Sequence, residues 1–200
     1  MPERRAKTET PAARRVLDAA SELFYARGIN AVGVDLIAKR AGVTKKTLYD
    51  RFGSKDALIV AYLRKRDERW RAWLTAEVER TAGGAEPAAR ILATFDALAE
   101  WAVRESPRGC SFVNAAVELP DPQHPARKVI VGQKRWLRDY LLELCRQTGT
   151  AEPEVLADEL ALMHEGANVM IGLGVLQDPV VTVQRLAEQA LVRAGASSFS

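Results

Sequence analysis

Only two cysteines and two histidines occur among the 200 residues. Cys110 and Cys145 are too few for a disulfide framework. His124 lies in a proline-rich loop and His164 in a helical stretch. Glu165 and Asn168 fall within about one helical turn of His164, but that grouping falls short of a metal site. A cysteine–histidine nucleophilic pair would need both groups and an orienting partner brought together by the fold, and no spacing here suggests one. The chain is therefore expected not to be an enzyme and to carry no cofactor, with an enzyme using Cys110 or His164 as the remaining alternative. Long hydrophobic runs are scarce too. Residues 1–11 are charged with no apolar stretch behind them, unlike a secretory leader. The most apolar late segment, Ala167–Leu176, is too short to span a bilayer. The expectation is a cytoplasmic protein with no membrane association. Strand-type alternation, internal repeats and low-complexity tracts are also missing, which leaves an all-α chain.

Hydrophobic residues make up 48% of the sequence, enough for a real core. The net charge of +3 hides an asymmetry. Residues 1–66 hold 15 Lys and Arg against 7 Asp and Glu, a net +8, whereas residues 67–200 hold 14 against 19, a net −5. A basic head on an acidic body suits a protein that meets a polyanion with one end.

Proline, glycine and hydroxyl residues punctuate the chain. Residues 1–10 read as a flexible basic arm. Thr10-Pro11 opens a first helix, with Val16, Ala20 and Phe24 recurring every fourth residue, and Gly28 closes it. Ser54 caps a helix over Lys55–Arg80, with Leu58, Tyr62, Trp70, Trp73 and Leu74 on its buried side. Further helices are expected over Pro87–Arg104, Cys110–Leu119, Ala126–Gln147, Pro153–Leu176 and Pro179–Ala194. Together with two short helices described next, that makes about nine.

Between Val34 and Lys55 two short helices flank a Gly-Val turn. Ile37, Ala38 and Ala41 share one helical face. Gly42 stands where a helix stops, Val43 plugs the corner, and Thr44 caps the next helix. There Leu48 and Phe52 point inward, leaving Lys45, Lys46, Thr47, Tyr49 and Arg51 outward. An exposed helix with cations, hydroxyls and an aromatic is suited to phosphates and base edges in a major groove. Lys45, Lys46 and Thr47 are the candidates for base edges or nearby phosphates. Tyr49 and Arg51 are candidate phosphate anchors, as is Lys55 in the first turn of the following helix.

Ile37-Ala38, Ala41-Gly42-Val43, Thr47-Leu48-Tyr49, Phe52 and Lys55 stand in the order and spacing of the tetracycline-repressor (TetR) family of bacterial transcriptional regulators, which this segment resembles. One departure is visible. The family usually has threonines before the first helix of the motif, where this chain has Gly33-Val34. The resemblance implies an N-terminal helix-turn-helix DNA-binding domain, residues 11–54, followed by a larger helical effector-binding and dimerisation domain, residues 55–200. It also implies a homodimer on palindromic double-stranded DNA, with its interface in the last two helices. The small residues Gly166, Ala167, Gly172 and Gly174 would let those helices approach closely. An effector bound in the body would change the spacing of the two heads, as for a ligand-responsive repressor.

The body supplies residues for such a cavity. Trp101, Phe112, Trp136, Met163 and Met170 offer large apolar surface, and Asn114, Glu118, His164 and Asn168 a few polar contacts. The effector is thus expected to be small and apolar or amphipathic. The rival reading is a DNA-binding protein with no effector, controlled by a protein partner or acting architecturally.

Overall fold

The computed structural model describes residues 10–196, so the basic arm expected over residues 1–10 lies almost wholly outside the described residues. The described chain is all-helical: α1 (Pro11–Arg27), α2 (Val34–Ala41), α3 (Lys45–Phe52), α4 (Lys55–Ala82), α5 (Pro87–Glu105), α6 (Ser111–Glu118), α7 (Ala126–Gln147), α8 (Pro153–Leu173) and α9 (Pro179–Arg193). None of these helices is long and apolar enough to cross a membrane. The chain forms two compact units. One runs up to Asp67 and takes in Ser111–Val131, and the other comprises Glu68–Cys110 and the chain from Gly132 onward. The cut after residue 54 follows the motif. The compact units instead place α6 and the start of α4 with the head.

In the first unit the helix ends are set by side-chain caps and glycines. The Thr10 hydroxyl accepts from the Ala13 N–H at 3.2 Å, and Pro11 occupies the first helical position, where its missing N–H costs nothing. Gly42 ends α2 in the left-handed region at φ 63°. The Val43 N–H then reaches back to the Ala38 carbonyl at 3.0 Å, which satisfies a helix-end acceptor. Thr44 caps α3 by accepting from the Thr47 N–H at 3.1 Å, and Ser54 caps α4 through the Ala57 N–H at 3.0 Å. Val16, Ala20, Phe24, Ile37, Leu48, Leu58 and Leu63 are buried, and Phe24 tilts against Tyr62 with ring centroids 5.7 Å apart.

The turn from α1 to α2 is held from two distant places. The Lys55 ammonium donates to the Ile29 carbonyl at 2.7 Å. Glu118, the last residue of α6, accepts from the Asn30 N–H at 2.8 Å, while its own carbonyl accepts from the Asn30 side-chain amide at 2.8 Å. Gly28 sits under this clamp at φ 89°, and a Cβ there would come within 3.0 Å of the Glu118 carboxylate.

The second unit packs the later part of α4 with α5, α8, α9 and most of α7. Its core includes Trp70, Leu74, Ile91, Phe95, Leu98, Leu141, Leu156, Leu160, Ala187 and Leu191. Two expectations change here. α8 stops at Leu173 rather than Leu176, because Gly174 turns left-handed at φ 64° and its N–H bonds back to Met170 and Ile171. Gly172 was expected to admit a second helix, but a Cβ on it would lie 2.8 Å from the Gly109 Cα of the same chain. Its smallness serves an internal crossing. Gly166, in contrast, has open space around it.

Gly28→Ala should destabilise the protein by about 1–3 kcal/mol, since an L side chain is strained at that φ and meets the clamp as well. Glu118→Ala should cost about 1 kcal/mol for the lost bond to Asn30. Denaturant unfolding of the two single variants and the double variant tests this. Because Glu118→Ala removes the steric part, the double variant should lose less than the sum of the singles.

Candidate nucleic-acid interface

An eight-residue helix is marginal alone, so α3 depends on its neighbours for its position. Leu48 is its one buried side chain, with Phe52 only half-buried. α2 is tied in turn to α1: the Arg15 guanidinium donates to the Ala41 carbonyl at 3.2 Å, and Arg40 makes a two-pronged ion pair with Glu22 at 2.9 Å. What α3 leaves outside are Lys45, Lys46, Tyr49 and Asp50. Tyr49 is 40% exposed, a large ring presented to solvent where a core residue would be covered.

The six residues expected to meet DNA differ in their freedom. Lys46 is fully outward. Lys45 shares its ammonium with Asp35 on α2 at 3.1 Å. Thr47 is half-buried, its hydroxyl 2.9 Å from that of the capping Thr44. Arg51 is half-buried, with an Nε atom that is sheltered and has no partner. Lys55 departs most from expectation. Its ammonium is engaged by Ile29 and lies 6.0 Å from the Phe24 ring centre, so in this state it braces the α1–α2 turn. The sequence could not show this, because the acceptor is a backbone carbonyl 26 positions away.

The residues expected to line a cavity divide between the two units. Phe112, Asn114 and Glu118 belong to the first. There Phe112 is buried and Asn114 outward, and the Glu118 carboxylate accepts from the Asn30 N–H. In the second unit Trp101 meets Trp70 edge-on at 5.4 Å and Trp73 at 6.2 Å. Trp136 stacks on Tyr140 at 5.4 Å, beneath the Arg71 guanidinium. Met163 packs partly buried against the core. Asn168 is half-buried, and Met170 is exposed.

His164 is 1% exposed. It lies 5.5 Å from the Phe95 ring centre and 6.0 Å from that of Trp70. Neither ring nitrogen makes a hydrogen bond of ordinary geometry, and the Trp70 indole N–H and the Gln133 side-chain oxygen are sheltered and unpartnered too. Burial pulls the His164 pKa down to about 3, the Lys134 ammonium adds to this, and the Thr94 backbone opposes it. The imidazole is therefore neutral at pH 7. Neither Trp70 nor Gln133 stood out in the sequence as a binding group, since both carry the spacing of ordinary core positions.

Since His164 is neutral when folded and protonates near pH 6.5 when unfolded, its contribution is fully present above pH 6.5. As the pH falls from there toward 3, the unfolded chain binds the extra proton. Stability should then fall by as much as about 1.4 kcal/mol per pH unit. Urea unfolding between pH 7 and pH 4 should show this slope, and His164→Phe should flatten it.

Two family models match the chain: "Bacterial regulatory proteins, tetR family" over residues 16–62 and "Tetracyclin repressor-like, C-terminal domain" over residues 87–186. The HTH-type transcriptional regulator YjdC of Escherichia coli K12 is 28% identical over 179 residues, 88% of this chain and 91% of that protein. An uncharacterised HTH-type transcriptional regulator of Mycobacterium tuberculosis is 31% identical over 175 residues, 77% of this chain and 82% of the relative. The crystal structure of a TetR-family transcriptional regulator from Streptomyces coelicolor superposes with a TM-score of 0.82 at 31% identity, covering 94% of this chain and 98% of that one. With a helix-turn-helix in its first unit and a helical second unit, this chain belongs to the TetR family of bacterial transcriptional regulators.

Proposed function

We propose that this DNA-binding regulator is a cytoplasmic homodimeric repressor that reads a palindromic operator with α3 and is released by a small apolar or amphipathic effector bound in its body, with no catalytic step. The observation that carries the effector reading is the unpartnered polar set in the second unit: both nitrogens of His164, the indole N–H of Trp70 and the side-chain oxygen of Gln133. A buried polar atom without a partner costs about 1–3 kcal/mol. A ligand bearing one polar head could partner one of these atoms, and Phe95, Trp70 and Trp101 supply the apolar wall.

The dimer reading rests on the outer face of α8. Val155, Leu162, Val169 and Leu173 are exposed. Their spacing of seven, seven and four residues puts them on one stripe, and Gly166, with open space about it, lies on the same stripe. Val181 and Val192 of α9 are exposed as well. Contiguous apolar surface of this kind marks an interaction face, and two-fold pairing through it would present two recognition helices to two half-sites.

On DNA, Lys45, Lys46 and Thr47 are assigned to base edges and nearby phosphates, and Tyr49, Arg51 and the N-terminal turn of α4 at Lys55 to phosphates. Arg51→Ala should weaken binding to every sequence and lower the salt slope by about one. Lys46→Ala and Thr47→Ala should change which bases are preferred, at about 1–3 kcal/mol for a lost specific contact. Selection of DNA from a random pool, repeated with each variant, tests both. A selected pool with no palindrome would favour the architectural rival.

An effector acts only through its difference in affinity between the DNA-competent and DNA-incompetent forms, and the coupling is reciprocal. Titrating apolar compounds that carry one polar head should perturb the fluorescence of Trp70 and Trp101 and lower operator affinity. Operator DNA should weaken the same compound's binding by the same factor. A compound that binds the body with no effect on DNA is not the effector, and a broad screen yielding no coupled ligand would sink the effector reading.

A further inference from the structure

The second unit carries a groove of about 460 Å³ between the later part of α4 and the end of α5, a size common among small-molecule sites. From α4 it takes Arg69, Trp73 and Ala76, spaced by four and three residues and so on one helical face. From α5 it takes Trp101, Arg104 and Glu105. The floor is aromatic. Trp73 and Trp101 stand 6.2 Å apart with their planes tilted by 41°. Both rings are fixed: the Trp73 indole N–H donates to the Ala97 carbonyl at 3.1 Å, and Trp101 meets Trp70 edge-on at 5.4 Å. Ala76 and its neighbour Ala72 keep the α4 wall small.

The charges lie over that floor. The Arg104 guanidinium is 5.4 Å from the Trp73 ring centre, and that of Arg69 is 5.8 Å from the Trp101 ring centre. Arg69 pairs with Glu105 at 2.7 Å, while Arg104 reaches Glu100 only at 3.8 Å. The lining thus sets two guanidiniums against one carboxylate. Both arginine side chains are more than half exposed, so they can turn toward a ligand without leaving the core short of packing.

We propose that this groove binds a small planar aromatic carboxylate, its ring against Trp73 and Trp101 and its carboxylate on Arg104 and Arg69. A guanidinium offers a planar fork that fits a carboxylate two-pronged, and tilted or offset rings at this separation attract beyond the area they bury. A cationic ligand meets the opposite situation, because guanidiniums already lie over both ring faces and repel it. A neutral ligand of the same shape keeps the stacking and loses the charge-assisted bonds. Glu105 competes with the ligand for Arg69. The site is separate from the unpartnered atoms of His164, Trp70 and Gln133, none of which lines the groove. It meets that set only where Trp101 touches Trp70.

The test titrates the full chain with 2-naphthoate by calorimetry at neutral pH, with 2-naphthamide as the neutral match. One naphthoate per chain is expected, bound at least about tenfold more tightly than the amide, the factor for one charge-assisted bond. Arg104→Gln should weaken the acid about tenfold and leave the amide within about twofold. Glu105→Gln should tighten the acid by about threefold, since Arg69 is released to the ligand. Disruption of packing would not give opposite signs. Trp73→Leu should weaken acid and amide by the same factor, through lost stacking. If that variant fails to fold, the substitutions at the exposed arginine and at Glu105 still decide. Folded His164→Phe protein should bind naphthoate within about twofold of the parent, as expected for a site outside the buried polar set. Equal affinity for acid and amide, weakening by Glu105→Gln, or loss of binding in folded His164→Phe protein would overturn the site. So would the absence of saturable naphthoate binding up to about 1 mM.

Discussion

One buried leucine anchors the helix proposed to meet DNA. α3 is eight residues long and buries Leu48 alone, so it has neither the length to hold itself helical in water nor a broad apolar face to choose its orientation. Its direction is imposed from both ends, by the left-handed Gly42 and the Thr44 cap on one side and by Gly53 and the Ser54 cap of α4 on the other. The scarcity of inward residues leaves most of the helix surface to face a partner. A longer apolar stripe would have made α3 sturdier and blunter as a reader.

The capping signals explain why the helices were legible. Pro11, Pro87, Pro153 and Pro179 each stand at a first helical position, and Thr10, Thr44, Ser54 and Asp178 each accept a backbone N–H just inside their helix. These are local rules, readable within four residues. The overrun of α8 shows where they weaken. Val175 and Leu176 continue an apolar pattern, yet Gly174 ends the helix by its own conformation. The polar groups were illegible for the opposite reason. Lys55 finds Ile29 across 26 positions, Asn30 finds Glu118 across 88, and Cys110 finds Lys134 across 24. Such pairings have no period and follow only from the packed chain. Thus the helix-turn-helix could be placed from sequence, whereas the bond from Lys55 to the Ile29 carbonyl could not.

The body shows a different tension. Its core follows from helical periodicity, yet His164, Trp70 and Gln133 keep buried polar atoms that the fold itself does not satisfy. Selection for stability alone would replace them by apolar residues of similar volume. Their retention costs the resting protein free energy in a region otherwise packed with aromatic and aliphatic side chains.

The ion pair between Lys45 and Asp35 bears on how the protein finds its site. A lysine already neutralised by a carboxylate gathers few mobile anions and is a poor hook for arbitrary phosphates. An exposed pair of this kind is worth at most about 1 kcal/mol, little enough for a well-placed base or phosphate to displace the aspartate. Random duplex, offering no such placement, leaves the pair closed. On the proposed assignment of Lys45 to the operator, Asp35 would lower the hold of bulk chromosome on the helix-turn-helix more than that of the operator and so shorten each unproductive stop during the search.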